Sequence, residues 1–209
     1  MKKIIILLVF ILAICCIGVF LYINNKGMTK EEFGNLIKSF ENVSNVKIEE
    51  KQISKDNLIS DKLQILSIRY IKDGRMLVKE ENDIEKHTWS DYNTKECIIY
   101  SPSLKQYEIG EYNEFDISQW DDIEYKFIGY EKCNRTKCAV AQLRFTHNEL
   151  TTTMWVDIQN GMFLKVRNKG IDSWGEEYEL INEYTPTYGV VTDEDVKRPD
   201  LEGYTQLEH

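Results

Sequence analysis

Proline is nearly absent, with three in 209 residues, and glycine is sparse at eleven. This excludes a collagen-like chain and a long Pro/Gly linker protein. Histidine is scarcer still, with His87, His147 and His209 as the whole supply. No HExxH pair, GxSxG elbow or phosphate-cradling glycine loop occurs. After residue 23 no apolar run is long enough to cross a bilayer as a helix. Positive charge is also short: 26 Lys and Arg face 35 Asp and Glu, for a net charge of -9. The first 24 residues hold only Lys2 and Lys3, so the remainder is more acidic still. Nucleic acid needs clustered Lys and Arg and is excluded as a partner. A hydrophobic content of 42% and a charged content of 29% are values of a globular chain, not a disordered one.

What is present begins with an address. Met1-Lys2-Lys3 precedes an apolar run over residues 4–23. Twenty residues at about 1.5 Å each span about 30 Å, the thickness of a bilayer's hydrocarbon core. Residues 1–26 are therefore expected to be a membrane anchor or signal segment, with residues 4–23 in the cytoplasmic membrane and the rest outside the cytoplasm. Three readings stay open. The run can act as an uncleaved anchor. It can be a lipoprotein signal with Cys15 or Cys16 as the lipidated residue. It can also be a cleaved signal, although it exceeds the usual apolar core and lacks a small-residue cleavage pattern.

The strongest local pattern lies over residues 152–167. Met154, Val156 and Ile158 alternate with Thr153, Trp155 and Asp157, the period of a half-buried strand. Asn160-Gly161 tolerates positive φ and reverses the chain. Met162, Leu164 and Val166 then alternate with Phe163, Lys165 and Arg167. The same grammar predicts strands over 46–54, 63–71, 76–81, 84–90, 97–101, 104–109, 125–133, 138–146 and 174–184. Their short connections suit antiparallel neighbours. Ahead of them, Thr29 and Glu32 form a capping box, Met28 can staple to Phe33, and Phe33, Leu36, Ile37, Phe40 and Val43 make one stripe of a helix over 29–43. Residues 111–122 break the strand rhythm and read as a short lid helix around Phe115, Ile117 and Trp120.

The predicted fold is α+β and mainly antiparallel: a curved half-barrel meander of about ten strands, with an N-terminal amphipathic helix and a short lid. The domain spans 27–185. Residues 186–209 read as a C-terminal tail, and Leu207-Glu208-His209 resembles the stub of an expression tag.

Cys133 and Cys138 flank a predicted turn, where opposed strand ends come within disulfide reach; outside the cytoplasm the bond would persist. No set of Cys, His and acids has the spacing of a metal site, and no cofactor motif occurs. Cys97 would need His87 or His147 as a base to act as a nucleophile. The carboxylates are too many to discriminate, and a non-enzymatic chain is expected.

The order of the pieces resembles the lipoprotein-carrier superfamily, which includes LolA and the envelope-stress regulator RseB. The likeness rests on Ile71-Lys72-Asp73-Gly74, on Ile99-Tyr100-Ser101-Pro102, and on Met154-Trp155-Val156-Asp157 with Gly161, Leu164 and Lys165. It implies a half-barrel whose inner face can hold acyl chains. Inner-face positions then mark a ligand site at Phe127, Leu143, Phe145, Trp155, Leu164 and Tyr178. A Lys-, Ile- and Asn-rich composition looks like that of a low-GC Gram-positive bacterium. In spore-forming clostridia a related germination lipoprotein resembles this scaffold and binds a cell-wall amidase. The resemblance thus implies an envelope protein or an acyl-chain lipid as partner. Exposed edge strands add a third candidate, a homodimer formed by strand pairing.

Overall fold

The computed structural model describes residues 27–54, 64–80, 85–110, 117, 121–146 and 150–207. The expected anchor, most of the lid segment, Cys15, Cys16 and His147 lie outside these residues. Among the described residues no helix is long and apolar enough to cross a membrane.

Helix α1 (Lys30–Lys38) starts where the capping box predicts. Thr29 N donates to Glu32 Oε2 at 2.8 Å, and Glu32 N donates to Thr29 Oγ1 at 3.1 Å. A 3-10 turn (Ser39–Asn42) continues it. Among the described residues twelve strands follow, rather than about ten: β1 (Val46–Ser54), β2 (Gln64–Lys72), β3 (Arg75–Glu80), β4 (Lys86–Asp91), β5 (Glu96–Ser101), β6 (Gln106–Gly110), β7 (Ile123–Cys133), β8 (Thr136–Phe145), β9 (Thr151–Asp157), β10 (Phe163–Ile171), β11 (Glu177–Tyr188) and β12 (Thr205–Gln206). They form one open curved sheet in the order β12-β6-β5-β4-β3-β2-β1-β11-β10-β9-β8-β7. Every pairing is antiparallel except β12 with β6. A long-range step seats β11 beside β1, which joins the two meanders into one sheet, and a second seats β12 beside β6 at its edge.

Two hairpins use two-residue turns with both central residues at positive φ. Asp73 (φ 50°) and Gly74 (φ 77°) join β2 to β3, and Asn134 (φ 48°) and Arg135 (φ 72°) join β7 to β8. Such turns match the twist of the strands they join. Arg135 meets the requirement against its own preference, because its Cβ crowds the backbone in this region. Arg135→Gly is therefore expected to raise stability by about 1 kcal/mol, read as a higher urea midpoint at unchanged slope.

Three bulges interrupt the ladders, at Leu66 in β2, Ile128 in β7 and Leu164 in β10. Each inserts one residue and shifts the alternation that follows it. Strict period two pairs Leu164 with Val166 and sends Phe163 to the other face. Instead, Phe163 and Val166 both pack on the α1 cluster, while Leu164 joins a different one with Val46, Ile48 and Ile71.

The two faces are covered by different ends of the chain. On the first face Phe33 and Ile37 of α1 and Ile117 pack on Ala139, Ala141, Leu143, Met154 and Val156. Ile117, of the expected lid, is fully buried. On the second face Leu77, Trp89 and Ile98 form a cluster that Leu201 packs against. Val196 lies fully buried nearby, and its carbonyl accepts from Trp89 Nε1 at 2.8 Å. Within the stretch after residue 185, expected as a tail, Val196 and Leu201 thus lie against this face of the sheet. β11 runs on through Pro186 to Tyr188, past the end of its pairing with β10, so the proline's missing donor falls where the strand has β1 alone as neighbour. Trp89→Phe keeps the ring packing but leaves the Val196 carbonyl unmet. It is expected to cost about 1–2 kcal/mol in equilibrium unfolding.

Candidate functional site

Apart from its bulges, the sheet's alternation decides which side chains can act together. Residues opposite one another in register share a face. Glu50, Ser67, Arg69, Asn182 and Tyr184 meet this way on the α1 face, where β11, β1 and β2 adjoin. Glu50 follows Val46 and Ile48 at the inward positions of β1 and is 7% exposed. Its Oε2 accepts from Ser67 Oγ at 2.7 Å and from Arg69 Nη2 at 2.8 Å. Its Oε1 accepts from Asn182 Nδ2 at 2.8 Å and from Tyr184 OH at 3.2 Å. Gln52 extends the network to Asn182 Oδ1. Burial pushes the Glu50 carboxyl up, but the Arg69 guanidinium and the donors from Ser67 and Asn182 outweigh it and hold it below the ordinary glutamate value. Burial and the Glu50 charge together push the Tyr184 hydroxyl up to about 12. The network is a fixed, ionised carboxylate with four donors. It anchors the junction of the two meanders and offers no free lone pair for proton transfer. Sequence reasoning passed over Glu50; the signal was a carboxylate at the third inward position after Val46 and Ile48.

The six expected ligand residues do not form one site. Leu143 is fully buried under α1. Phe127 packs against the same cluster, with its ring 5.3 Å from that of Tyr130. Phe145 pairs with Ile123 at the end of β8. Tyr178 lies against Gly170. Leu164 is buried at its bulge. Trp155 is the correction. Its strand neighbours Met154 and Val156 face α1, so Trp155 points to the opposite face, where its Nε1 donates to Glu131 Oε2 at 2.8 Å. Lys165 Nζ and the Arg167 guanidinium lie 5.5 and 5.6 Å from its ring.

The expected Cys133–Cys138 disulfide is absent, and both thiols are free. The two-residue turn pairs Cys133 with Thr136 and places Glu131 opposite Cys138. The cysteines are therefore diagonal neighbours, with Cα atoms about 7–8 Å apart, beyond the disulfide range. Burial pushes the Cys138 thiol up to about 11, and it donates weakly to the Thr136 carbonyl at 3.7 Å.

Cys97 and His87 are parted by the sheet itself. Cys97 stands opposite Ser90 and His87 opposite Tyr100, and the alternation along β4 puts them on opposite faces. Burial also pushes the Cys97 thiol up and the His87 imidazole down, so each favours its neutral form. Among the described residues no three His, Cys, Asp or Glu side chains cluster as metal ligands.

No protein-family model matches the chain, and no curated protein matches it in sequence. Solved structures do. MucB of Pseudomonas aeruginosa in complex with MucA covers 83% of this chain and 62% of its own, at 10% identity and a TM-score of 0.50. A second MucB structure, with MucA(peri), covers 83% and 61% at 8% identity and a TM-score of 0.52. A LolA superfamily protein from Nitrosomonas europaea covers 78% and 96% at 9% identity and a TM-score of 0.37. The chain spans 31% of PNGF-II, at a TM-score of 0.48, and about three fifths of MucB. At these identities the likeness concerns architecture alone. The open antiparallel sheet under an N-terminal helix is an architecture that this chain shares with MucB.

Proposed function

We propose that this chain is a membrane-anchored, extracytoplasmic and non-enzymatic module that docks an envelope protein, such as a cell-wall or spore-germination enzyme. The observation that carries the reading is the filling of the α1 face. Phe33 and Ile117 are fully buried and Ile37 is 4% exposed, so the chain's own side chains occupy the place where an acyl chain would lie in this half of the sheet. MucB, with the same fold, has been solved bound to another protein. The anchor rests on the hydropathy of residues 4–23 and the outside location on the anchor.

The runner-up is an acyl-chain binding protein of the lipoprotein-carrier type. One feature favours it: a cavity of about 290 Å³ over β5 and β6, lined by Ile99, Leu104 and Tyr107. Its volume is at the lower limit for a ligand pocket.

Native mass spectrometry of the full chain, released gently from the membrane in which it was made, separates the two. Added mass equal to an envelope protein, retained after crosslinking in cells, is the expected result. Added mass equal to one acyl-chain lipid, with no protein partner, would overturn the docking reading in favour of the carrier one.

A further inference from the structure

The face opposite α1 carries an unmet positive charge in an acid-rich chain. Arg167 lies in the middle of β10, with Thr153 of β9 and Ile181 of β11 as its register partners. Neither is an acid. The lysines on either side of it on the same face are both paired: Lys165 with Glu183 at 3.7 Å and Lys169 with Glu179 at 3.6 Å. Arg167 forms no ion pair with any described residue, and its Nε is buried without a hydrogen-bond partner. Arg69 also has a lone Nε, but its Nη2 meets Glu50. The Arg167 guanidinium carbon lies 5.6 Å from the centre of the Trp155 ring, within cation–π reach. A buried donor without a partner is costly, and a planar fork beside an aromatic ring fits a carboxylate.

Four residues along β10, Ile171 is 46% exposed, and Trp174 on the adjoining turn is 87% exposed. The turn is not loose. Asp172 Oδ1 accepts from Trp174 N at 2.8 Å and from Glu176 N at 2.9 Å, so the indole is presented on a built support. Ile171 lines an open trough of about 680 Å³ together with Gln142, Thr151, Lys169, Glu177 and Glu179, and Arg167 lies two residues before Lys169 on the same face of β10. Arg167 and Ile171 are about 13 Å apart along the strand, the reach of four residues in an extended peptide.

The geometry points to a peptide-docking surface on the face of β8 to β11 opposite α1. It takes an extended segment of a partner protein that places a carboxylate side chain on Arg167 and, four residues away, an aromatic or aliphatic side chain on Ile171 and Trp174. The inference rests on the docking reading above and names its site and the chemistry of its partner. The acids at the apolar end, Asp172, Glu176 and Glu177, select against a second carboxylate there and so set the direction of the peptide.

A displayed library of random dodecapeptides, selected on the full chain in mild detergent, tests this. The expected consensus is Asp or Glu with an aromatic or aliphatic residue four positions away. Arg167→Gln is expected to weaken a selected peptide about tenfold, and Asp→Asn in the peptide to weaken it equally, with no further loss when both changes are combined. Trp174→Ala, at an exposed position, is expected to weaken the same peptide without altering the melting temperature. A consensus without an acid, or peptides that bind Arg167→Gln as well as wild type, would overturn the proposal. Inorganic phosphate that binds Arg167 while no peptide does would overturn it as well. If Arg167→Gln fails to fold, Arg167→Lys and the peptide-side change carry the same test. An envelope partner that crosslinks equally to wild type and to both variants would leave the docking function standing and remove this site.

Discussion

Gly161→Ala is expected to lower stability by about 2–4 kcal/mol, through backbone strain and overpacking together. Gly161 has φ 72°, where an L side chain is strained by about 1–2 kcal/mol. Its N–H donates to the Asp157 carbonyl at 2.9 Å, and Asn160 Oδ1 accepts from Met162 N at 3.1 Å, so the turn cannot relax into another conformation cheaply. A Cβ at this position would collide with the Leu36 carbonyl and come within 2.6 Å of Ser39 Oγ. Both belong to the last turn of α1 and its continuation, and Ser39 Oγ already donates to the Leu36 carbonyl at 2.6 Å. The helix must therefore lift from the sheet or the β9–β10 turn must distort. Gly175→Ala supplies the internal control. Gly175 has φ 84° and open space for 4 Å around where a Cβ would sit, so a substitution there carries the strain without the collision. Urea denaturation of both variants measures the difference. Equal losses would show that the helix does not sit on the β9–β10 turn.

Glu50→Ala is expected to cost about 3 kcal/mol, because it leaves the Arg69 charge and the donors of Ser67, Asn182 and Tyr184 with nothing to meet. The loss is at the lower end for a buried pair because the Arg69 side chain is 33% exposed and retains some water. Glu50→Gln keeps the shape and part of the hydrogen bonding, and a loss of about 1–2 kcal/mol is expected. The pH dependence distinguishes the carboxylate from mere volume. The folded state holds the Glu50 carboxyl below its ordinary value. Its contribution is thus fully present above the unfolded-state value and is lost as pH falls through the folded one. Between those two values the wild-type chain should lose stability more steeply on acidification than Glu50→Gln. Stability against pH, measured by urea midpoints, reads this directly. Parallel curves for the two proteins would mean that Glu50 is not ionised in the fold.

Much of the architecture was legible because it depends on neighbours in sequence. Thr29 and Glu32 are three residues apart, and the capping box they form needs only the local helix. Asp73-Gly74 and Gly161 carry their turns in their own backbone preferences, with φ of 50°, 77° and 72°. The strands of the meander follow from alternation, and their short connections forced antiparallel pairing. The order of the pieces was enough to suggest a LolA/RseB-like fold, which the structural comparison with MucB supports at the level of architecture.

The candidate sites were far less legible. Phase failed first: one inserted residue at Ile128 or Leu164 shifts every later side chain by a face, and no residue type marks a bulge. Trp155 was grouped with Leu143 and Tyr178 although its own alternation with Met154 and Val156 set it apart. Register failed next, as Cys133 and Cys138 show: a turn of two residues instead of four moves one cysteine past the other's reach. The coverage of the second face by residues 191–201 was invisible because Val191, Val196 and Leu201 have no periodic pattern.

The sequence by itself determined the elements of this protein: an apolar N-terminal run, one capped helix, a chain of short strands with their turns, and a strongly acidic balance. Only the tertiary structure decided which side chains meet. Glu50 reaches Asn182 and Tyr184 across more than 130 positions because β11 closes on β1, and Arg167 is left without an acid because its register partners are Thr153 and Ile181. Local preferences act over a few residues along the chain, whereas the pairing of charges is set by strand order and register, and these are properties of the assembled sheet.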